Sequence, residues 1–191
     1  MHPRRRRRSN TKTESTVKFV LRLALTLLAI TAVVAVCLAG VNKITAPAIE
    51  KLNAQKTQEA IELVLPGGGE SVDFPETALV SKVYASDTGY AVEVTPGGFD
   101  NTITMMVGVD KAGSVLGISV ISHTETAGLG AVAAAGTPAG EAFRGGFVGK
   151  SGSVSVTKDG GEINAITGAT ITSRAVCVGV NAALECVAKM G

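Results

Sequence analysis

The sequence predicts an α+β domain carried behind one N-terminal membrane-spanning helix. Three observations lead there: an uncharged apolar run from Leu23 to Val41, a middle stretch of period-two alternation punctuated by turn residues, and a closing segment with apolar residues at spacings of three and four. At 191 residues the chain has room for one modest domain and an anchor. Two large domains would not fit, since domains most often take about 100–150 residues each.

The anchor comes first. Leu23 to Val41 reads LALTLLAITAVVAVCLAGV, without charge and with two threonines whose hydroxyls can bond back to helix carbonyls. About 20 apolar residues cross a bilayer's hydrocarbon core, so a transmembrane helix is expected over 17–41, with Lys18 and Arg22 reaching toward the headgroups. Through Arg22 eight basic residues stand against Glu14 alone, so this end carries +7 and the remainder −5 within a net charge of +2. By the positive-inside rule the tail, 1–16, is cytoplasmic and everything after Val41 lies on the outer side of the cell (inner) membrane. Arg4 to Arg8 alone could read as a nucleic-acid patch, but the membrane segment that follows already needs a positive flank, and no nucleic-acid partner is expected. Signal-peptide cores run to about 7–15 residues, shorter than this run, which favours an uncleaved anchor. Cys37 follows Val36, where a lipidation site wants a small residue. Cys177 and Cys186 lie nine residues apart on one expected helix, pointing to opposite faces, so they cannot bridge.

Beyond the membrane, Ala46 to Leu65 has Pro47 near its start and Pro66-Gly67-Gly68-Gly69 at its end, which predicts a helix leaving the membrane, a juxtamembrane helix or stalk within 42–69. Residues 70–191 form the expected extracytoplasmic domain. Tyr90, Val92 and Val94 alternate with Ala91, Glu93 and Thr95 after a turn at Asp87-Thr88-Gly89. Ile103 to Val109 and Val115 to Ile121 flank Asp110-Lys111-Ala112-Gly113, good hairpin chemistry, so an antiparallel sheet of at least three strands is expected. Ser122 to Gly130 reads as a loop, a short helix falls within Gly140 to Arg144, and Val154 to Ile166 reads as a last strand or hairpin turning at Lys158-Asp159-Gly160-Gly161. The chain closes with a helix from about Ser173 to Met190, one face of it on the sheet.

Ile166 to Ser173 reads ITGATITS, a loop of small residues presenting several hydroxyls at a helix N-terminus, where unpaired amides and the macrodipole favour anions. A plain helix cap by Thr172 or Ser173 would explain the same letters. The segment resembles the (S/T)GAT sequence at which a flavin transferase esterifies FMN to the final threonine, as in the G subunit of the Rnf complex and the C subunit of the sodium-translocating NADH:quinone reductase. The resemblance implies Thr170 as the attachment residue, with Thr167, Gly168 and Ala169 completing the motif. Where that family usually has aspartate three residues before the Ser/Thr, this sequence has Asn164. A second stretch, His123-Thr124-Glu125-Thr126-Ala127-Gly128-Leu129-Gly130, resembles the H-x-E-T-P-G-L-G loop of the same flavin-binding domain, with Ala127 in place of proline. It implies Glu125, Thr126, Leu129 and Gly130 as contacts of the flavin, while His123 reads more simply as a hydrogen-bonded histidine at a strand end.

With the anchor and hairpin, the likeness spans roughly Val17 to Lys189. It implies a redox subunit of an Rnf-type oxidoreductase that couples ferredoxin:NAD electron transfer to ion translocation, with both substrates reacting on other subunits. Implied partners are those membrane and peripheral subunits, a flavin transferase for maturation, and the lipid bilayer. Catalysis by this chain alone is not expected, and the sequence offers no CxxC, paired histidines, phosphate loop or Ser/His/Asp triad, so no metal is expected. Two other flavin readings stand beside this one, a quinone reductase C subunit and a stand-alone FMN carrier. From another class, a flavin-free anchored binding or assembly module would need the TGAT only as a helix cap.

Overall fold

A computed structural model describes residues 8–75 and 77–190, with side chains from Val17 onward. His2 and Arg4 to Arg7 of the basic tail therefore lie outside the described residues. The chain divides into two compact units, Met1–Lys51 and Leu52–Gly191.

One helix, α1, runs Arg8–Val64 with Pro47 inside it, so the helix expected to leave the membrane has no start of its own near Pro47. Proline deletes one backbone donor, but Ala46 and Ala48 beside it are strong helix formers, and in a helix of 57 residues the single missing bond does not end the element. An 18-residue window within Val17–Val64 reaches a mean hydropathy of 2.6 with none of it buried, so this helix is long and apolar enough to cross a membrane. Its large side chains face outward, Phe19 at 65% and Val36 at 72% exposure. The threonines satisfy their hydroxyls within the helix, Thr26 donating to Arg22 O at 2.9 Å and Thr31 to Leu27 O at 3.0 Å, which removes the cost of a bare hydroxyl in hydrocarbon. Pro66 and the positive φ of Gly67 and Gly68 stop the helix after Val64.

In the second unit five strands form one antiparallel meander in chain order: β1 Glu70–Val72, β2 Val80–Ala85, β3 Gly89–Val94, β4 Thr104–Asp110 and β5 Val115–Ser122. The last three are the expected strands, and β1 and β2 add two more. At the β4–β5 turn Gly113 takes φ +82, its amide bonds Asp110 O at 3.1 Å, and the Asp110 carboxylate accepts the Ser114 amide at 2.8 Å. Helix α2, Pro138–Gly145, is capped by the Thr137 hydroxyl and overlaps the expected short helix.

The period-two pattern sorts side chains onto two covered faces. Val92, Val94, Met105, Val107 and Val109 pack with Val176, Val180, Ala183 and Val187 of the closing helix α3, Thr170–Met190. Ala91 and Met106 point the other way, under Ala60, Ile61, Val64 and Leu65 at the end of α1. Gly108 and Gly117 sit opposite one another in the β4–β5 register, and a β-carbon at Gly108 would lie 2.3 Å from Val64 O, so glycine there lets the end of α1 settle onto the sheet.

Val154 to Ile166 is not the expected strand or hairpin. It is a looped segment with one isolated bridge, Val156 to Ile163, a 3-10 turn at Thr157–Asp159, and Gly160 at positive φ. Its apolar residues point inward because the loop packs on α3: the Asn181 amide accepts the Val154 N–H at 2.8 Å and donates to Val154 O at 2.9 Å. More of α3 is buried than the single face expected, including the free thiols of Cys177 and Cys186. Although α3 is apolar enough to pass a length-and-hydropathy test for a span, 61% of its window is buried, as befits a core helix.

Candidate functional site

Two loops separated by some forty residues of chain meet at the start of α3. After β5 the first turns at Thr126, whose carbonyl accepts the amides of Leu129 at 3.1 Å and Ala131 at 3.2 Å. The second closes through Ala169 N to Ile166 O at 3.0 Å, with Gly168 between at φ +77. A β-carbon on Gly168 would lie 3.0 Å from Leu129 Cδ2, so this glycine serves both the turn and the approach of one loop to the other.

The buried Glu125 ties the junction together. One carboxylate oxygen accepts the Phe99 amide at 2.8 Å and the Asp100 amide at 3.4 Å, and the other accepts the hydroxyl of Thr172, itself only 1% exposed. Gly98 and Gly130 leave space for it, since a β-carbon on either would fall 2.2 or 2.3 Å from a carboxylate oxygen. A buried carboxylate is tolerated when its lone pairs are used in this way. Ser173 supplies a second tie: its hydroxyl accepts the Ile166 amide at 3.0 Å and donates to Ala169 O at 2.9 Å. It thus fastens the incoming loop and does not accept one of the helix's own amides, as a simple cap would.

Between the loops lies a cleft of about 270 Å³, lined by Glu125, Thr126, Leu129, Gly130, Gly168, Ala169 and Thr170, together with Phe99, Lys158, Ile171 and Thr172. The fold therefore gathers every candidate site residue except Thr167 around one cavity. Thr167 and Asn164 line a neighbouring cavity of about 440 Å³ with Gly128 and Phe143. His123 lies elsewhere, in a third cavity of about 500 Å³ against Lys56 and Glu59 of α1, and its buried Nδ1 has no hydrogen-bond partner among the described residues.

Thr170 is half-buried at the first position of α3, and its Oγ accepts a hydrogen bond from Lys158 Nζ at 3.2 Å. The first bond of the helix ladder runs from Ser173 N to Ala169 O at 3.0 Å, so the amides of Thr170, Ile171 and Thr172 precede the ladder. On the rim three large apolar side chains stay exposed, Phe99 at 64%, Leu129 at 44% and Ile171 at 51%. A flavin mononucleotide fits this arrangement: apolar side chains to cover a planar ring, the Thr126 hydroxyl beside them, and a helix start with a lysine ammonium for phosphate. Phe99, Lys158 and Ile171 were not foreseen from the sequence, and Thr172, expected there as a possible helix cap, instead donates to Glu125. Ile171 adjoins the motif and its position at the helix start could have signalled it, whereas nothing in the sequence ties Phe99 or Lys158 to Thr170.

Residues 98–185 match the model of the FMN-binding domain family. The chain is similar to the G subunit of the Na(+)-translocating ferredoxin:NAD(+) oxidoreductase complex of Acetobacterium woodii, 33% identical with 88% of this chain and 91% of the relative covered. It is also similar to the G subunit of the ion-translocating oxidoreductase complex of Methanosarcina acetivorans, at 32% identity over 88% and 94% of the two chains. The G subunit of the proton-translocating ferredoxin:NAD(+) oxidoreductase complex of Clostridium ljungdahlii is 32% identical over 78% of this chain and 82% of its own. A cleft suited to a flavin, an FMN-binding domain around it and likeness along nearly the whole length agree, and the chain belongs to the G-subunit family of the ion-translocating oxidoreductase complexes.

Proposed function

We propose that this chain is the membrane-anchored electron carrier of an Rnf-type complex, holding FMN esterified through its phosphate to Thr170 Oγ. Bound there, FMN supplies the uptake and release of electrons, while the oxidation of ferredoxin and reduction of NAD belong to other subunits. Residues 1–16 lie in the cytoplasm, 17–41 cross the membrane, 42–69 lead away from it, and 70–191 hold the flavin on the outer side. The relatives' names support the assembly, and the charge asymmetry about the apolar helix supports the orientation.

The observation that carries the reading is that three exposed apolar side chains and the Thr170 hydroxyl border one cleft at a helix start. Leu129, Ile171 and Phe99 would cover the ring, and Thr170 holds the phosphate end at the amides that precede the α3 ladder. Glu125 and Thr172 keep the two loops in register, so the threonine and the apolar rim stay aligned. The alternative hydroxyl at Thr172 is 1% exposed and engaged with Glu125, whereas Thr170 is only half-buried.

The test is intact-mass analysis and in-gel flavin fluorescence of the full chain produced with a flavin transferase. The expected result is a fluorescent protein heavier by FMN minus water, an unmodified Thr170→Ala variant, and reduced loading in Thr167→Ala. Bare polypeptide mass for the natural chain would refute the covalent reading, and retained adduct in Thr170→Ala would move it to another hydroxyl.

A further inference from the structure

Resting on the reading of Thr170 as the esterified hydroxyl, we propose that Lys158 is the resident counter-ion of the phosphodiester, its ammonium holding the negative charge that esterification places at the start of α3. Lys158 lies twelve residues before Thr170, in a looped segment of glycines and polar residues, and its Nζ already reaches Thr170 Oγ at 3.2 Å.

The backbone beneath Lys158 is fixed relative to Thr170 from several sides. Asp159 grips Arg174 in a two-pronged contact, Nε to Oδ2 at 2.7 Å and Nη2 to Oδ1 at 2.6 Å, and Arg174 stands one turn along α3 from Thr170. Val156 before the turn is fully buried, Thr157 N bonds Ile163 O at 2.9 Å, and Gly161 crosses so close to Ser155 that a β-carbon would lie 2.1 Å from its carbonyl oxygen. Only the lysine side chain is left to rotate, and Thr170 is within its reach.

The distribution of charge points the same way. Arg174 is committed to Asp159, whose carboxyl the guanidinium holds below the usual carboxylate range, and Lys150 pairs with Glu162. Lys158 makes no ion pair among the described residues; its partner is a neutral hydroxyl. Esterification removes the Thr170 hydroxyl proton, turns Oγ into a weak ester acceptor and brings two non-bridging oxygens sharing one negative charge. An ammonium bonds such an anion more strongly than a hydroxyl, and unlike the fixed amides of α3 it can follow the oxygens by rotation.

The experiment compares the full chain with Lys158→Gln and Lys158→Arg, each produced with the flavin transferase and purified in phosphate-free detergent and buffer. Loading is read by intact mass, and the phosphodiester by its ³¹P resonance at low and high salt. The expected result is a ³¹P resonance displaced in loaded Lys158→Gln, a natural-chain resonance that moves toward that position as salt screens the pair, and a Lys158→Arg resonance near the natural one. Loading at limiting transferase should fall about fivefold in Lys158→Gln, the scale of one exposed ion pair, and recover in Lys158→Arg. A ³¹P resonance unchanged in loaded Lys158→Gln overturns the proposal. Slower loading with an unchanged resonance also overturns it, since the lysine would then serve recognition by the transferase. A natural chain of bare mass removes the covalent reading and this inference together, whereas a loaded chain indifferent to Lys158 removes the inference alone.

Discussion

Thr172→Val is a near-isosteric change that tests the clamp holding the two site loops in register. Thr172 is 1% exposed, so the valine methyl replaces the hydroxyl without opening the structure, and what is lost is the bond to the Glu125 carboxylate. Hydrogen bonds to charged groups contribute roughly 1.5–3 kcal/mol, so about 2 kcal/mol of destabilisation is expected. Unfolding entropy of about 2.1 cal/mol/K per residue over the roughly 140 residues from Leu52 onward amounts to about 0.3 kcal/mol/K, which places the Tm about 7 °C lower. Calorimetry or circular dichroism of the full chain in detergent reads the shift. Glu125→Gln and the double variant complete a cycle whose coupling should be at least about 1 kcal/mol, because the two side chains touch. A Tm within about 2 °C of the natural chain, or effects that simply add, would show that the buried contact does not hold the loops together.

Gly108→Ala places a β-carbon 2.3 Å from Val64 O and should cost about 1–3 kcal/mol or more by denaturant midpoint, while Gly117→Ala, whose β-carbon would meet Val64 at 3.9 Å, should be far milder. Burial pushes the Cys177 thiol from 9.0 up to about 11, so the folded state keeps a proton that the unfolded chain releases. That contribution is complete below about pH 9 and is lost as pH rises toward about 11, and Cys177→Ala should flatten the alkaline arm of a stability-against-pH curve over that window.

Most of the sheet was legible because its letters obey one rule. Tyr90, Val92 and Val94 alternate with their neighbours, and Asp110 to Gly113 supply a glycine at positive φ and an aspartate that accepts an amide. Val154, Val156 and Ile163 look the same at sequence level, yet their burial comes from docking against α3, a contact that no local period encodes. β1 spans three residues and β2 begins at a register shift, so neither shows clean alternation. Pro47 read as a boundary because proline usually is one, and flanking alanines override it. At the site the two motifs were legible through their resemblance to the flavin-binding family, while the parts that align them were not. The Phe99 and Asp100 amides carry no side-chain signature, and Lys158 reaches Thr170 only through a loop whose path is tertiary.

The strict neighbour-to-neighbour order of β1 to β5 has a temporal meaning. Each strand finds its mate in the segment made just before it, so the sheet can zip up in the order of synthesis, with only short excursions of chain to close. The helix that bears Thr170 follows the sheet in the chain and lies across strands already laid down. Thr170 thus takes its place only after the strands beneath it are formed, and a modifying enzyme that reads the completed cleft would be barred from labelling a chain whose sheet is unfinished.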